Sequence, residues 1–194
     1  MKDNRFGDLG RKRIYNKNFH DINQEVVLWD VLDINNSEDI LFRFIYTNSQ
    51  YKQGVRLAID VGEGYLEING IRSKGMRLWE DTCLGEAKIH CESSEGKLSV
   101  YNIFDLGWTN PQGGVRSQVA SCGMLVEQRD NVYVYHCNDA GFQTNFDKLV
   151  FEIEFPMIKE QREQVDDTRK SEQTRKTNGL QKVFLVITAK LLKL

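Results

Sequence analysis

The heptapeptide LVFEIEF, Leu149–Phe155, decides the reading of the fold. Leu149, Phe151, Ile153 and Phe155 alternate with Val150, Glu152 and Glu154, a period of two that separates an apolar stripe from a mostly polar one. A half-buried antiparallel strand produces that pattern, whereas an amphipathic helix needs apolar residues three and four apart. Working outward, short apolar runs of the same kind recur at Val26–Leu32, Ile40–Thr47, Val55–Val61, Tyr65–Ile68, Ala87–Glu92, Leu98–Phe104, Met124–Gln128 and Val132–Cys137. Ile40–Thr47 carries the stripe Phe42, Phe44 and Tyr46 and also Leu41 and Ile45 on the opposite face, which predicts a central strand. Asn69-Gly70 marks a tight hairpin because both residues tolerate positive φ. Gly62-Glu63-Gly64 and Asp130-Asn131 mark two more.

Strands this short with mostly short connections pair antiparallel, since each parallel crossover needs a dozen or more residues. The expected class is all-β: a two-sheet antiparallel β-sandwich of the jelly-roll or immunoglobulin-like kind, with a partly closed barrel as the alternative. The strand order stays open, and no internal repeat is present.

Charge and composition narrow the function classes. The 194 residues are 40% hydrophobic and 28% charged, and carry a net charge of −2, which gives no field for steering nucleic acid or an acidic membrane. No run approaches the roughly 18 apolar residues of a membrane span. Residues 1–23 form a polar, basic arm with Lys2, Arg5, Arg11, Lys12, Arg13 and Lys17 but no apolar stretch behind them, so no signal peptide is expected. The expected compartment is then the cytoplasm, and Cys83, Cys91, Cys122 and Cys137 are expected to be free thiols, although an even count would permit two disulfides in a secreted domain. The β domain is expected over residues 24–155. Residues 156–194 read as a charged linker or helix ending in a short apolar segment, Val183–Leu194, which suits either a last strand or a docked helix.

The most suggestive stretch for function is the long loop Asp105–Gly123. Trp108 offers a stacking face, and Asn110, Gln112, Arg116 and Gln118 offer amide and guanidinium groups suited to hydroxyls of a polar ligand. The bland alternative is a flexible connection whose tryptophan tucks against the core. A second stretch, His136 to Asp147, places Asp139, Asn145 and Asp147 where they could offer oxygens to a hard cation, but turn chemistry alone explains its composition. His90-Cys91 and His136-Cys137 each present neighbours to opposite strand faces, and no C-x-x-C spacing exists, so no metal is implied. Cys122 with His136 as base lacks any local signature and competes with the reading of Cys122 as a small buried hydrophobe. The neighbouring carboxylates Glu80 and Asp81, and the scattered Glu63, Asp105 and Asp139, do not define the pair that glycoside hydrolysis requires. Phosphate-binding glycine motifs are absent, and no cofactor is implied.

The expectation is therefore a cytosolic, non-catalytic binding module whose long loops at one end of a β-sandwich contact a small polar ligand or a protein partner, with no role for nucleic acid or membrane. The alternatives are a hydrolase acting at the same loop end, through acidic residues or Cys122 with His136, and an accessory domain that docks through Val183–Leu194.

Overall fold

The alternating runs become strands. The computed structural model describes residues 9–107, 113–141 and 143–156, and within them all regular structure is β. The strands are β1 (Ile14–Tyr15), β2 (Val27–Asp33), β3 (Ser37–Thr47), β4 (Lys52–Ala58), β5 (Gly64–Ile68), β6 (Ile71–Ser73), β7 (Gly75–Trp79), β8 (Glu86–Ser93), β9 (Lys97–Asp105), β10 (Val115–Arg116), β11 (Gly123–Arg129), β12 (Val132–Asn138) and β13 (Leu149–Glu154). Each of the nine runs read from the sequence contributes one strand. The ladder of the run Val55–Val61 stops at Ala58, yet Ile59 and Val61 remain buried.

The strands follow one continuous path, β6-β5-β8-β3-β13-β12-β11-β2-β9-β4-β7, with β1 added on β2 and β10 on β9. Its two terminal strands, β6 and β7, are separated in the chain only by Lys74, so the sheet curls until its ends come together. The result is a nearly closed antiparallel sheet, nearer to the partly closed barrel than to two plainly separate layers. β2 changes partners midway: Val27 and Trp29 lie opposite β1, and Asp30–Asp33 pair with β9.

The core fills the inside of the curl. Phe42 stacks on Phe151 with ring centroids 5.6 Å apart, and Phe151 on Tyr135 at 4.6 Å. Ile40, Leu57, Leu66, Ile89 and Leu98 are fully buried around them. Each such side chain stabilises the fold by about 1.5–3 kcal/mol through removal of apolar area from water. The predicted alternation holds along β8, where Ala87, Ile89 and Cys91 are buried and Lys88 and His90 face outward.

The two ends of the curl differ. At one, tight connections at 34–36, 94–96 and 130–131 are pinned by main-chain bonds such as Ile34 N to Gly96 O (3.0 Å) and Phe155 N to Asn131 O (2.9 Å). The connections 48–51 and 80–85 and the described parts of 106–122 and 139–148 lie at the other, whereas 59–63 joins β4 to β5 at the first end, where Ser94 N donates to Glu63 O (2.8 Å). The two longest connections between the longer strands, 106–122 and 139–148, thus start and finish at one end, and binding residues tend to collect on such loops.

Candidate functional site

Buried polar groups fasten the long loops to the curl. Asp139 is 1% exposed, and its Oδ2 accepts bonds from the Ser49 hydroxyl and from Gln53 Nε2 (2.9 Å). Lys148 Nζ donates to Asp139 Oδ1 at 2.6 Å, so a lysine supplies the positive charge that a cation would bring. Asn145 Oδ1 accepts from the Asp147 main-chain N–H, which makes that stretch a turn and not a cation cup. Among the described residues no group of three or more His, Cys, Asp or Glu is arranged to hold a metal. Asn102 Nδ2 donates to Asn138 O (3.1 Å), and Asn138 Nδ2 donates to Ser121 O (2.5 Å). Three loops are tied together by these bonds.

Cys122 belongs to this layer and is fully buried, its thiol donating to Asn102 Oδ1 at 3.1 Å. Burial pushes the thiol up to about 11, so the thiolate is suppressed at neutral pH. His136 lies on the opposite face of its strand from the buried Cys137, and its Nδ1 sits 3.5 Å from Asp147 Oδ1. The structure does not bring Cys122 and His136 together as nucleophile and base. Glu80 and Asp81 also diverge: Glu80 Oε1 accepts the Gln53 main-chain N–H, and Asp81 pairs with Lys52 at 2.7 Å.

The sequence-derived ligand residues fare unevenly. Trp108, Asn110 and Gln112 lie outside the described residues. Arg116 is exposed on β10, opposite Phe104 of β9, and Gln118 is exposed with φ 57°.

A groove of about 590 Å³ opens elsewhere, along the seam between β2 and β11. That volume is within the roughly 300–1,000 Å³ usual for ligand clefts. The seam is open because Met124↔Val27 is the one rung between these strands among the described residues. Gln24, Glu25 and Val27 form one wall, and Leu125, Val126 and Glu127 the other. His136 extends the second wall, while Arg13 and Tyr15 close the groove from the arm.

Behind the groove stands a buried carboxylate. Asp30 is 0% exposed, and Arg13 forks onto it with Nε–Oδ1 2.6 Å and Nη2–Oδ2 3.0 Å. The Tyr135 hydroxyl donates to Oδ2 at 3.0 Å and the Val31 main-chain N–H to Oδ1 at 2.8 Å. Burial is the largest influence on Arg13 and opposes its charge, but the hydrogen bond with Asp30 and the Asp30 charge together outweigh it and raise the guanidinium above its ordinary value. Burial, then the Asp30 charge, push the Tyr135 phenol well above its usual value, so it stays a hydroxyl donor. The described part of the arm is hydrogen-bonded to the sheet elsewhere too: Asn16 N donates to Val26 O (2.7 Å), and Asn16 Nδ2 to Cys122 O (2.7 Å).

Sequence reasoning missed this groove because its lining comes from four separated segments, none of which has a motif. One signal was visible: Asp30 interrupts the apolar run Val26–Leu32, and a carboxylate there demands a buried partner. No helix among the described residues is long and apolar enough to cross a membrane. No family model, no curated protein and no solved structure matches the chain.

Proposed function

We propose that this chain is a non-catalytic binding module that engages a partner through the groove between β2 and β11. The observation that carries the reading is the open seam: a nearly closed sheet that leaves one interface with a single rung exposes both apolar side chains and main-chain groups there. The Arg13–Asp30–Tyr135 network behind it supplies rigidity, since every member is held by at least one short hydrogen bond. In this reading the curl works as a two-sheet sandwich with β2 crossing between the layers, supported by its change of partners. Free thiols at all four cysteines fit a reducing, cytoplasmic setting. The long-loop end, with exposed Arg116 and Gln118, is the second surface of the same module, favoured by the clustering of longer connections there.

The test compares the full chain with Leu125→Arg, which places a cation in the groove wall while leaving the buried core untouched. Partners enriched by the parent protein and lost by the variant, with matching melts, support the reading. Partners captured equally by both place the interaction elsewhere.

A further inference from the structure

The main chain of β11 specifies what the groove can hold. Arg129↔Val132 closes the two-residue turn to β12, so register fixes where each amide points. Leu125, Glu127 and Arg129 exchange hydrogen bonds with β12, while Met124, Val126 and Gln128 aim their N–H and C=O groups at the opposite edge. The single rung to β2 falls on Met124, as that alternation requires. Val126 and Gln128 have no ladder partner on that edge among the described residues. They present donors and acceptors alternating at strand spacing, which only another extended backbone matches group for group.

We propose that β11 takes an extended segment of a partner protein as an added strand, bound in the groove by the main chain of Val126 and Gln128. This rests on the groove being the binding surface. The side chains of the segment alternate between apolar and basic residues. Half-buried Leu125 and exposed Tyr15 give apolar contact. Arg13 is neutralised by Asp30, and Glu127 by Arg129 at 2.8 Å, which leaves Glu25 as the wall charge without an ion pair among the described residues. A lysine or arginine of the incoming strand meets that carboxylate. Exposed Glu127 and Arg129 flank the edge as charged guards against indiscriminate pairing.

The experiment uses the full chain, isotopically labelled, and four capped pentapeptides: acetyl-VKVKV-amide, the two forms of it N-methylated at alternate amides in either phase, and acetyl-VEVEV-amide. The expected result is saturable amide shifts at Val126 and Gln128 with the first peptide. The acidic peptide, and the N-methylated form that removes the donors facing β11, should bind at least tenfold more weakly. Gln128→Pro deletes an outward N–H at an edge position where proline is tolerated, and should weaken binding tenfold or more with an unchanged melt. Shifts confined to the groove that survive both N-methylation and Gln128→Pro overturn strand addition but leave the groove as a binding surface. Saturation mapping away from β11, or none with any peptide, also overturns it. The groove reading is then decided by Leu125→Arg alone.

Discussion

Replacing Arg13 with alanine removes the guanidinium from a carboxylate that water cannot reach. Asp30 is 0% exposed and takes two of its four hydrogen bonds from Arg13, at 2.6 and 3.0 Å. Breaking a buried pair from one side typically destabilises by about 3–5 kcal/mol, because the remaining charge is stranded. Two features reduce the loss here. The Tyr135 hydroxyl and the Val31 N–H stay in place, and the Arg13 side chain is 34% exposed, so its removal admits some water. The expected loss is therefore at the low end, about 3 kcal/mol, or about 6–12 °C in melting temperature for a chain of this size. Urea titration followed by tryptophan fluorescence measures it. Asp30→Asn should cost less than Arg13→Ala, since the arginine left behind reaches solvent while the amide still accepts from Tyr135. Combined, the two changes should lose clearly less than the sum of the single changes, because the pair acts as a unit. A loss below about 1 kcal/mol for Arg13→Ala would refute the argument, since an exposed pair is worth no more than that. The arm would then be a passive appendage.

Other expectations follow from the same geometry. Lys148→Met leaves the 1%-exposed Asp139 without its cation and should destabilise by about 3–5 kcal/mol in a urea titration; an unchanged midpoint would show that Ser49 and Gln53 suffice. Burial raises the Cys83, Cys91, Cys122 and Cys137 thiols, Cys91 to about 12, so native labelling by iodoacetamide at pH 8 should begin at half-buried Cys83, and all four should label in denaturant without reductant. Mass spectrometry reads both, and two missing labels in denaturant would reveal a disulfide. The Asp39 hydrogen bond, then that of Glu92, raises His90 above 6.5. The stability from that imidazolium is complete below 6.5 and is lost as pH rises through the folded value, so the parent's melting temperature should fall relative to His90→Gln above pH 6.5. A His90 ring that titrates at or below 6.5 by NMR would contradict this.

The strands were legible because burial on one face imposes a period of two regardless of what the strand pairs with. Met76 and Leu78 of β7 carry that signal as well, alternating with Arg77 and Trp79, but Gly75 and the brevity of β6 before it disguise the segment as a loop. β1 and β10 are two residues each, too short for any period, and form because β2 and β9 offer them an edge. The site was far less legible. Arg13 and Asp30 are close in sequence, yet their pairing depends on β1 folding back on β2, and Tyr135 arrives from a distant strand. The choice of Asp105–Gly123 followed loop length, a local quantity. The groove instead follows from a missing rung between strands about a hundred residues apart in the chain, which no local pattern records.

The order in which strands meet has a consequence during synthesis. β3 is flanked by β8 and β13, and Thr47 lies opposite Leu149. β8 emerges soon after β3, but β13 follows about a hundred residues later. At the roughly 5–20 residues per second of translation, one flank of Ile40–Thr47 waits on the order of 5–20 s for its mate. Apart from Arg43, that run is apolar on both faces and rich in aromatic and β-branched residues. A nascent chain holding it unpaired is a substrate for chaperones and a hazard for its neighbours on the same message. Faster decoding between codons 48 and 149 should raise the soluble yield of this protein.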